Sequence, residues 1–528
     1  MATKNEKRTA TPKNPDLTVD ELKATHELHQ LFKSEWEFLY AAYQGARELV
    51  NLGYLVKHER ETSENYEARK KQAYGFGYSQ SIVDTLNFYL NKKATKRTVP
   101  QKIESDALYE LFSEDCNLEG DGIDEFITEQ SRLASIMGYT GVLVDKPSTV
   151  FFNRQEQIDM EVHPYLCSYY PQAILDWKIE RDQFGRPVLT YLKLLQDSGQ
   201  YLLWFQDQFE IWEIPFDEDG SPRTDQEKAE LVECRTHTLN EIPFVFIINK
   251  KWRIRPIGKS DISDIARIDV SIIRNLSQGE EVIDYSAFPM MRKAALEGRP
   301  DQVVDKSDET GPTAVLSFDP DNPDSKPDWL QSESKDPIDA IVVWIGLKIA
   351  EIYRASNIGG MAANEVSTVA KSGSALQSEF QLLNSSLVRK AVNLEKAESR
   401  IYWFYYKWEF EGEEKELIKE TKIERERTYD VENLAQDLDN VITSTSIVVS
   451  NKFKEAMQKK TARKMLPSWN DTQMQEIDDE IEQGIEEEAN RPKPGDPDYY
   501  DPFMEKPETD DSEDKVLPFQ KKTSGEKE

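Results

Sequence analysis

The stretch DPIDAIVVWIGLKIAEIYRASNIGGMAANEVSTVAKSGSALQSEFQLLNSSLVRKAVNLEKAESRIYWFYYKW, residues 336–408, holds two helical patterns joined by a loop. Asp336 and Pro337 form a helix-entry pair. Ile338, Ile341, Val342, Ile345, Ile349 and Ile352 follow at helical spacing, so one face is apolar, and the rest of this helix must also be covered. Ser356 to Ser374 is rich in Ala, Ser, Thr, Asn and Gly, with Gly359-Gly360 and the basic Lys371, the composition of a mobile loop. Leu376, Phe380, Leu383, Leu387, Ala391, Leu394, Ile401, Phe404 and Trp408 then predict an amphipathic helix of about thirty residues or more. Its other face carries Gln377, Gln381, Asn384, Arg389, Lys390, Asn393 and Lys396.

Upstream of this stretch, Pro256 to Ser286 carries Ile262, Ile265, Ile268, Ile272, Leu276 and Ile283, a second long helix that ends before Pro289. Residues 289–335 are rich in Pro, Gly and Asp, with a strand candidate at Ala314 to Phe318, and suit a small excursion module between two helices.

The N-terminal half reads as helices followed by strands. Residues 1–17 are polar and contain Pro12 and Pro15, a composition that predicts no fixed structure. Thr18 and Glu21 have capping-box spacing, and Leu28, Leu31, Phe32, Trp36, Leu39 and Tyr43 continue a helical pattern. Further helices are predicted over Ala46 to Leu55, over Tyr66 to Leu90 and from Ile123 to a stop at Gly138. TGVLVDKP then reads as a buried strand stopped by Pro147. His163 to Ile179 reads as strand, turn at Pro171 and strand from Ile174. Val188 to Leu195, Tyr201 to Phe205, Phe209 to Ile214 and Phe244 to Ile248 continue a meander, with turns at Gly185 and Gly220. Glu416 to Tyr429 suggests returning strands. Residues 430–490 are helical through Leu434, Leu438, Val441, Ile447, Val448, Phe453 and Met457, with an acidic stretch from Glu476 to Glu488, and the end is a polar tail.

Composition narrows the function. The 528 residues can bury a large core; 66 Lys and Arg face 98 Asp and Glu, a formal net charge of -32 that disfavours tight nonspecific DNA binding without preventing a protein from surrounding DNA. Three widely spaced cysteines, Cys116, Cys167 and Cys234, suit a reducing compartment. The first residues lack an apolar signal core and no run of about eighteen apolar residues occurs. A soluble, cytosolically made protein is expected, with no membrane contact.

The order and spacing of GVLVDKP, YYPQAILDW and EIPFVFI, followed by helix, small-residue loop and long helix, resemble the portal proteins of tailed bacteriophages; the YEARKKQAYGFGYSQSIVDTLNFYL stretch is similar to their entry segment. The resemblance implies an α+β, portal-like fold. Its parts are an N-terminal arm (1–17), a wing of helices and strands (18–257), stem helix 1 (258–288), a clip (289–335), stem helix 2 (336–356), a tunnel loop (357–372), a long wing or tunnel helix with returning strands (373–429), a helical crown (430–490) and an acidic tail (491–528). It further implies a virion protein made in the host cytoplasm, a ring of twelve subunits at a capsid vertex, and a channel for packaging and ejection of double-stranded DNA. The implied partners are the terminase large subunit, the head-tail adaptor, the major capsid protein and scaffold. In that frame Asn357, Gly359, Gly360, Asn364, Lys371 and Ser372 face DNA, and Arg267, Arg274, Lys348 and Arg354 are channel or subunit-interface residues.

Catalytic signatures are weak. Gly258-Lys259-Ser260 lacks the leading Gly of a phosphate loop, since position 253 is Arg. Asp115, Asn117, Glu119 and Gly120 imitate a calcium loop, yet Phe126 stands where a carboxylate is needed. His26 and His29 have no Cys or third His nearby in sequence. No enzyme activity, cofactor or metal is expected. The rivals are a metal-dependent nuclease or hydrolase using Asp115, Glu119 and Asp124, and an oligomeric scaffold without a channel.

Overall fold

Thr18 opens the first helix through both bonds of a capping box with Glu21. In the computed structural model the described residues are 10–59, 61–147, 151, 153–215, 228–287, 290–292, 328–330, 335–356, 373–427, 429, 455–456, 458–459, 462–463 and 471–489. They fall into two units, 1–430 and 431–528.

In the first unit the chain runs through α1 (Val19–Lys23), α2 (Glu27–Gln44), α3 (Ala46–Asn51), α4 (Ser63–Gln72), α5 (Tyr78–Asn91), β1 (Lys96–Thr98), α6 (Gln101–Glu104), α7 (Ala107–Glu114) and α8 (Ile123–Met137). The strands are β2 (Tyr139–Asp145), β3 (Tyr165–Tyr169), β4 (Ile174–Arg181), β5 (Pro187–Leu195), β6 (Tyr201–Phe205), β7 (Gln208–Glu213), β8 (Glu230–Thr236), β9 (Phe244–Ile248), β10 (Lys250–Lys251) and β11 (Gly258–Lys259), with α9 (Arg154–Asp159) between β2 and β3. Then come α10 (Ile265–Ala287), the antiparallel pair β12 (Met290–Arg292) and β13 (Asp328–Leu330), α11 (Lys335–Ser356), α12 (Gly373–Glu409), α13 (Glu414–Glu420) and β14 (Lys422–Glu424). The second unit contributes α14 (Asp471–Ala489), where Arg463 meets Asp478 at 2.5 Å and Lys459 meets Glu482 at 3.5 Å.

The class is α+β. A three-stranded antiparallel sheet, β3-β2-β9, lies against α8 and α12, and a five-stranded meander, β4-β5-β6-β7-β8, stands beside it. TGVLVD is buried along almost its whole length because β2 is the central strand and helices pack on it. Gly138 ends α8 at φ +94°, and a Cβ there would run into the Gly258 carbonyl, so the helix-to-strand corner and β11 close onto each other only through glycine.

Several expectations change. Tyr66 to Leu90 is two helices, because Gly75 packs against Ile273, where a Cβ would come within 2.8 Å, and Gly77 takes φ +66°. Gly77 has no side chain to cap α5; Asp269 of α10 supplies the acceptor, 3.0 Å from the Ser79 N–H and 2.9 Å from its hydroxyl. The helix expected over 258–288 begins at Ile265, since Gly258 and Lys259 pair with β10 instead. Glu414–Glu420 is a helix anchored by the buried Leu417, and only Lys422–Glu424 returns as strand, against β1. Strand β8 is unanticipated: apart from Leu231 and Cys234 its residues are exposed or half-buried, and a register shift at Ile211/Trp212 breaks the alternation.

The arm also differs from expectation over residues 10–17, where it straps across the meander. The Lys13 N–H donates to Glu210 Oε1 at 2.7 Å, Gln208 Nε2 donates to the Thr11 carbonyl at 3.2 Å, and Leu17 packs with Leu22, Leu203, Trp212, Leu231 and Cys234. Buried Glu210 needs donors, and a polar segment can supply them. The strand expected at Ala314 to Phe318, the turn expected at Gly220, most of 289–335, the apolar series from Leu434 to Met457 and residues 491–528 lie outside the described residues.

Candidate functional site

Helices α10 and α11 form an antiparallel pair. Lys348 Nζ donates to Ser271 Oγ at 2.7 Å, and Ile341 lies beside Gly279 at the other end. Ile345 and Ile352 are buried toward α10 and Ile341 and Ile349 half-buried, the face the isoleucine spacing predicts. Among the described residues the opposite side is left uncovered. Val342, Val343, Trp344 and Leu347 are 61%, 64%, 55% and 57% exposed, and Ala340 and Ala350 are exposed one turn to either side. At 100° per residue, Val343 and Leu347 point away from the α10-facing Ile345. The run IVVWIGL, apolar at every position except Gly346, carries this signal in the sequence; the reading of one apolar face did not single out Val343, Trp344 and Leu347.

The basic candidate residues of α10 and α11 have partners within the chain. Arg267 pairs with Glu35 of α2 at 2.7 Å, its guanidinium 5.2 Å from the Phe38 ring, and Arg274 donates to the Tyr54 carbonyl at 2.9 Å. Both therefore face the N-terminal helices, on one side as their heptad spacing predicts. Burial pushes the Lys348 ammonium below its ordinary value. Arg354 pairs with Glu351 on the exposed surface of α11. Asn357, Gly359, Gly360, Asn364, Lys371 and Ser372 lie outside the described residues.

Helix α12 is the tie-bar of the first unit. Leu383, Leu387, Ala391, Leu394, Ile401 and Phe404 are buried as the periodicity predicts, and Tyr402, Tyr405 and Tyr406 are buried as well. Much of its polar face turns inward. Asn384 Oδ1 accepts from the Tyr429 N–H at 3.0 Å, and Asn393 Nδ2 donates to the Asn249 carbonyl at 3.0 Å. Lys390, 3% exposed, meets Asp261 at 2.5 Å and Ser135 Oγ at 2.8 Å. Burial raises the Asp261 pKa, and the ammonium groups of Lys390 and Lys250 outweigh it, leaving the carboxyl below its usual range. Glu398, fully buried, receives Arg97 of β1 and Arg425 beyond β14; Glu409 receives Arg154 and Lys146; Glu241 receives Arg400 and Lys407 from α12. Arg389 and Lys396 stay exposed.

The rival acidic group is dispersed. Asp115 Oδ1 accepts the Gly120 N–H at 3.0 Å, Asn117 Oδ1 accepts the N–H groups of Glu119 and Asp121, and Asp124 pairs with Arg97 at 2.7 Å. Among the described residues no group of three or more His, Cys, Asp and Glu could hold a metal ion. Ser260 of the Gly-Lys-Ser triplet is buried on the Ser135 carbonyl and Lys259 pairs with Asp264. His26 caps α2 and stacks on Trp177 at 4.2 Å, while His29 is buried with Nε2 3.0 Å from the Gln172 carbonyl. Among the described residues no helix is long and apolar enough to cross a membrane.

No protein-family model matches the chain, and no curated protein matches it. Among solved structures it is similar to a chain from the neck of an empty GTA particle computed with C6 symmetry, at 10% identity and TM-score 0.42 over 75% of this chain and 94% of that one. A chain of the virion of a native gene transfer agent (GTA) particle aligns at 11% identity and TM-score 0.40 over 80% and 98%. A chain from the neck of the native particle computed with C12 symmetry aligns at 13% and 0.38 over 76% and 94%.

Proposed function

We propose that this chain is the portal subunit of a tailed-phage-like particle: a ring former, twelve to the ring, at one capsid vertex, enclosing the channel through which double-stranded DNA is packaged and ejected. The observation that carries this reading is α11, a helix apolar on two sides with only one side covered among the described residues. A soluble chain rarely leaves such a stripe bare, and a repeated subunit contact covers it in every copy. The element order agrees, since the α10 and α11 helices pack against each other and the short antiparallel pair β12 and β13 lies between them in sequence. The net charge of -32 suits a conduit whose walls repel phosphate and let the duplex slide.

In this reading residues 357–372 face DNA, with Lys371 the basic contact, and the ring's faces receive the terminase large subunit, the head-tail adaptor and the capsid shell. The chemistry performed is guidance of DNA, with no bond made or broken. Electron microscopy with a mass measurement in solution tests the architecture: a ring of twelve with an axial hole of about 20 Å or more, the width of a duplex, is expected, and a compact monomer or dimer overturns it. Deleting Gly359 to Thr368 is expected to leave rings intact and to abolish DNA packaging; normal packaging by such rings refutes the loop assignment.

A further inference from the structure

Helix α10 is packed on two opposite sides. Toward α11 it presents Ser271, Asn275 and Gly279, a row with i, i+4 spacing. Toward the segment from α3 to the start of α5 it presents Ile273, Ser277 and Glu280, which meet Gly75, Arg69 Nη1 at 3.4 Å and the Tyr74 hydroxyl at 2.8 Å. Two residues along a helix turn it by about 200°, so these rows point in opposite directions. Along residues 271–280 of α10 the order is the α3–α5 segment, α10, then α11; only at the start of α5 does the first layer reach the third, where the Tyr78 ring lies 6.0 Å from that of Tyr353.

Both outer layers expose large apolar side chains. On α11 these are Val342, Val343, Trp344 and Leu347; on the α3–α5 segment they are Leu52, Val56, Tyr74 and Phe76, between 41% and 57% exposed. The two sets also lie at one height along α10. Ser271 sits beside Lys348 and Gly279 beside Ile341, which puts Val343 level with Ser277. On the far side the Val56 carbonyl and Ser277 share the Arg69 guanidinium, which puts Val56 level with Ser277 as well. Charge is complementary: exposed Asp336 and Asp339 open α11, and exposed Lys57 and Lys71 belong to the α3–α5 segment.

We infer that the α11 stripe of one copy seats on the Leu52, Val56, Tyr74 and Phe76 surface of the next copy, a head-to-tail contact in which each protomer uses both surfaces at once. Two different patches on opposite sides of one layer stack define a heterologous interface, which propagates around a ring when the rotation closes. Surfaces at equal height propagate laterally, without the axial rise that would draw the chains into a filament. The aromatic pair Tyr74 and Phe76, whose rings are 6.4 Å apart, supplies the apolar anchors, and the aspartates and lysines set direction.

This inference rests on the ring reading and fails separately from it. Val343→Cys and Val56→Cys, placed singly and together in the full chain and treated with a short bis-maleimide crosslinker, are the variants; the wild-type chain, with Cys116 and Cys234 buried and Cys167 half-buried, is the background control. The doubly substituted chain is expected to give a ladder extending beyond dimer, a mixture of the two single variants only a heterodimer, and each single variant alone no crosslink. Self-crosslinking of either single variant, or rings visible by microscopy with no ladder, overturns the pairing while leaving the ring. Absence of any assembly at high protein concentration overturns both, and a ladder from particles without an axial hole keeps the interface and refutes the channel. Val343→Asp with Leu347→Asp, at positions exposed within the chain, is expected to shift the mass to monomer with the circular dichroism spectrum unchanged.

Discussion

Replacing Lys390 by Met removes the ammonium from a site where its partner cannot reach water. Asp261 is enclosed beneath α12, β10 and α8, held by Lys390 at 2.5 Å and by Lys250 at 2.8 Å. Truncating one member of a buried pair typically costs about 3–5 kcal/mol, because the remaining charge stays desolvated. Lys250 still reaches the other carboxylate oxygen, so the lower end applies, about 3 kcal/mol. Lys390→Met also strips the Ser135 hydroxyl of a donor. Combining it with Asp261→Asn removes the orphaned charge, and the double variant is expected to regain at least half of the loss, a coupling of about 1.5 kcal/mol or more. Urea unfolding in the Val343→Asp, Leu347→Asp background, which is expected to be monomeric, followed by tryptophan fluorescence reads both quantities. A loss below about 1 kcal/mol for Lys390→Met, or a double variant no better than the single one, refutes the view that this pair ties α12 to the body.

Two further outcomes follow from the local chemistry. Gly138→Ala combines a positive φ with a collision against the Gly258 carbonyl and is expected to cost at least about 2 kcal/mol, whereas Gly185→Ala, at φ +77° with open space around its Cβ position, should cost about 1 kcal/mol; equal losses in a thermal melt would contradict the close approach of β11. The hydrogen-bonded Arg69 guanidinium holds the Glu61 carboxyl down at about 2, against the opposing effect of burial. A depressed carboxyl stabilises the fold above its unfolded value of 4.5, and that contribution is lost as pH falls from there toward 2. Glu61→Gln is therefore expected to flatten the acid limb of the stability profile and leave its slope above pH 6 unchanged; an unaltered acid limb would exclude Glu61 as its source.

The elements most legible in the sequence were those whose apolar residues form a regular local pattern or an unbroken run. Isoleucine spacing located α10 and α11 to within a few residues except at the start of α10, and TGVLVD announced a buried strand, which the sheet order makes the central one. Legibility failed where long-range partners decide the outcome. Nothing local tells that Asp269 caps a helix 190 positions earlier, or that Glu210 waits for the backbone of Lys13. The basic residues of α10 illustrate the same limit, since helix phase placed Arg267 and Arg274 on one side but could not say that Glu35 and the Tyr54 carbonyl occupy it. That part of the amide and lysine face of α12 turns inward was not legible, because composition does not distinguish a lysine in water from one, like Lys390, enclosed with an aspartate.

The anchors of α12 lie at 390, 395, 398, 400, 407 and 409, and they reach partners from the N-terminal strand to the end of the first unit. Each is a separate bond, but all share one screw axis. Any one could be exchanged for an apolar contact during divergence, whereas inserting a single residue midway would turn every later anchor by about 100° and lift it by 1.5 Å. The helix thus behaves like the bitting of a key: its teeth are individually negotiable and its pitch is not. Insertions and deletions in relatives of this chain should accordingly accumulate before residue 390 or after residue 409, and be absent between them.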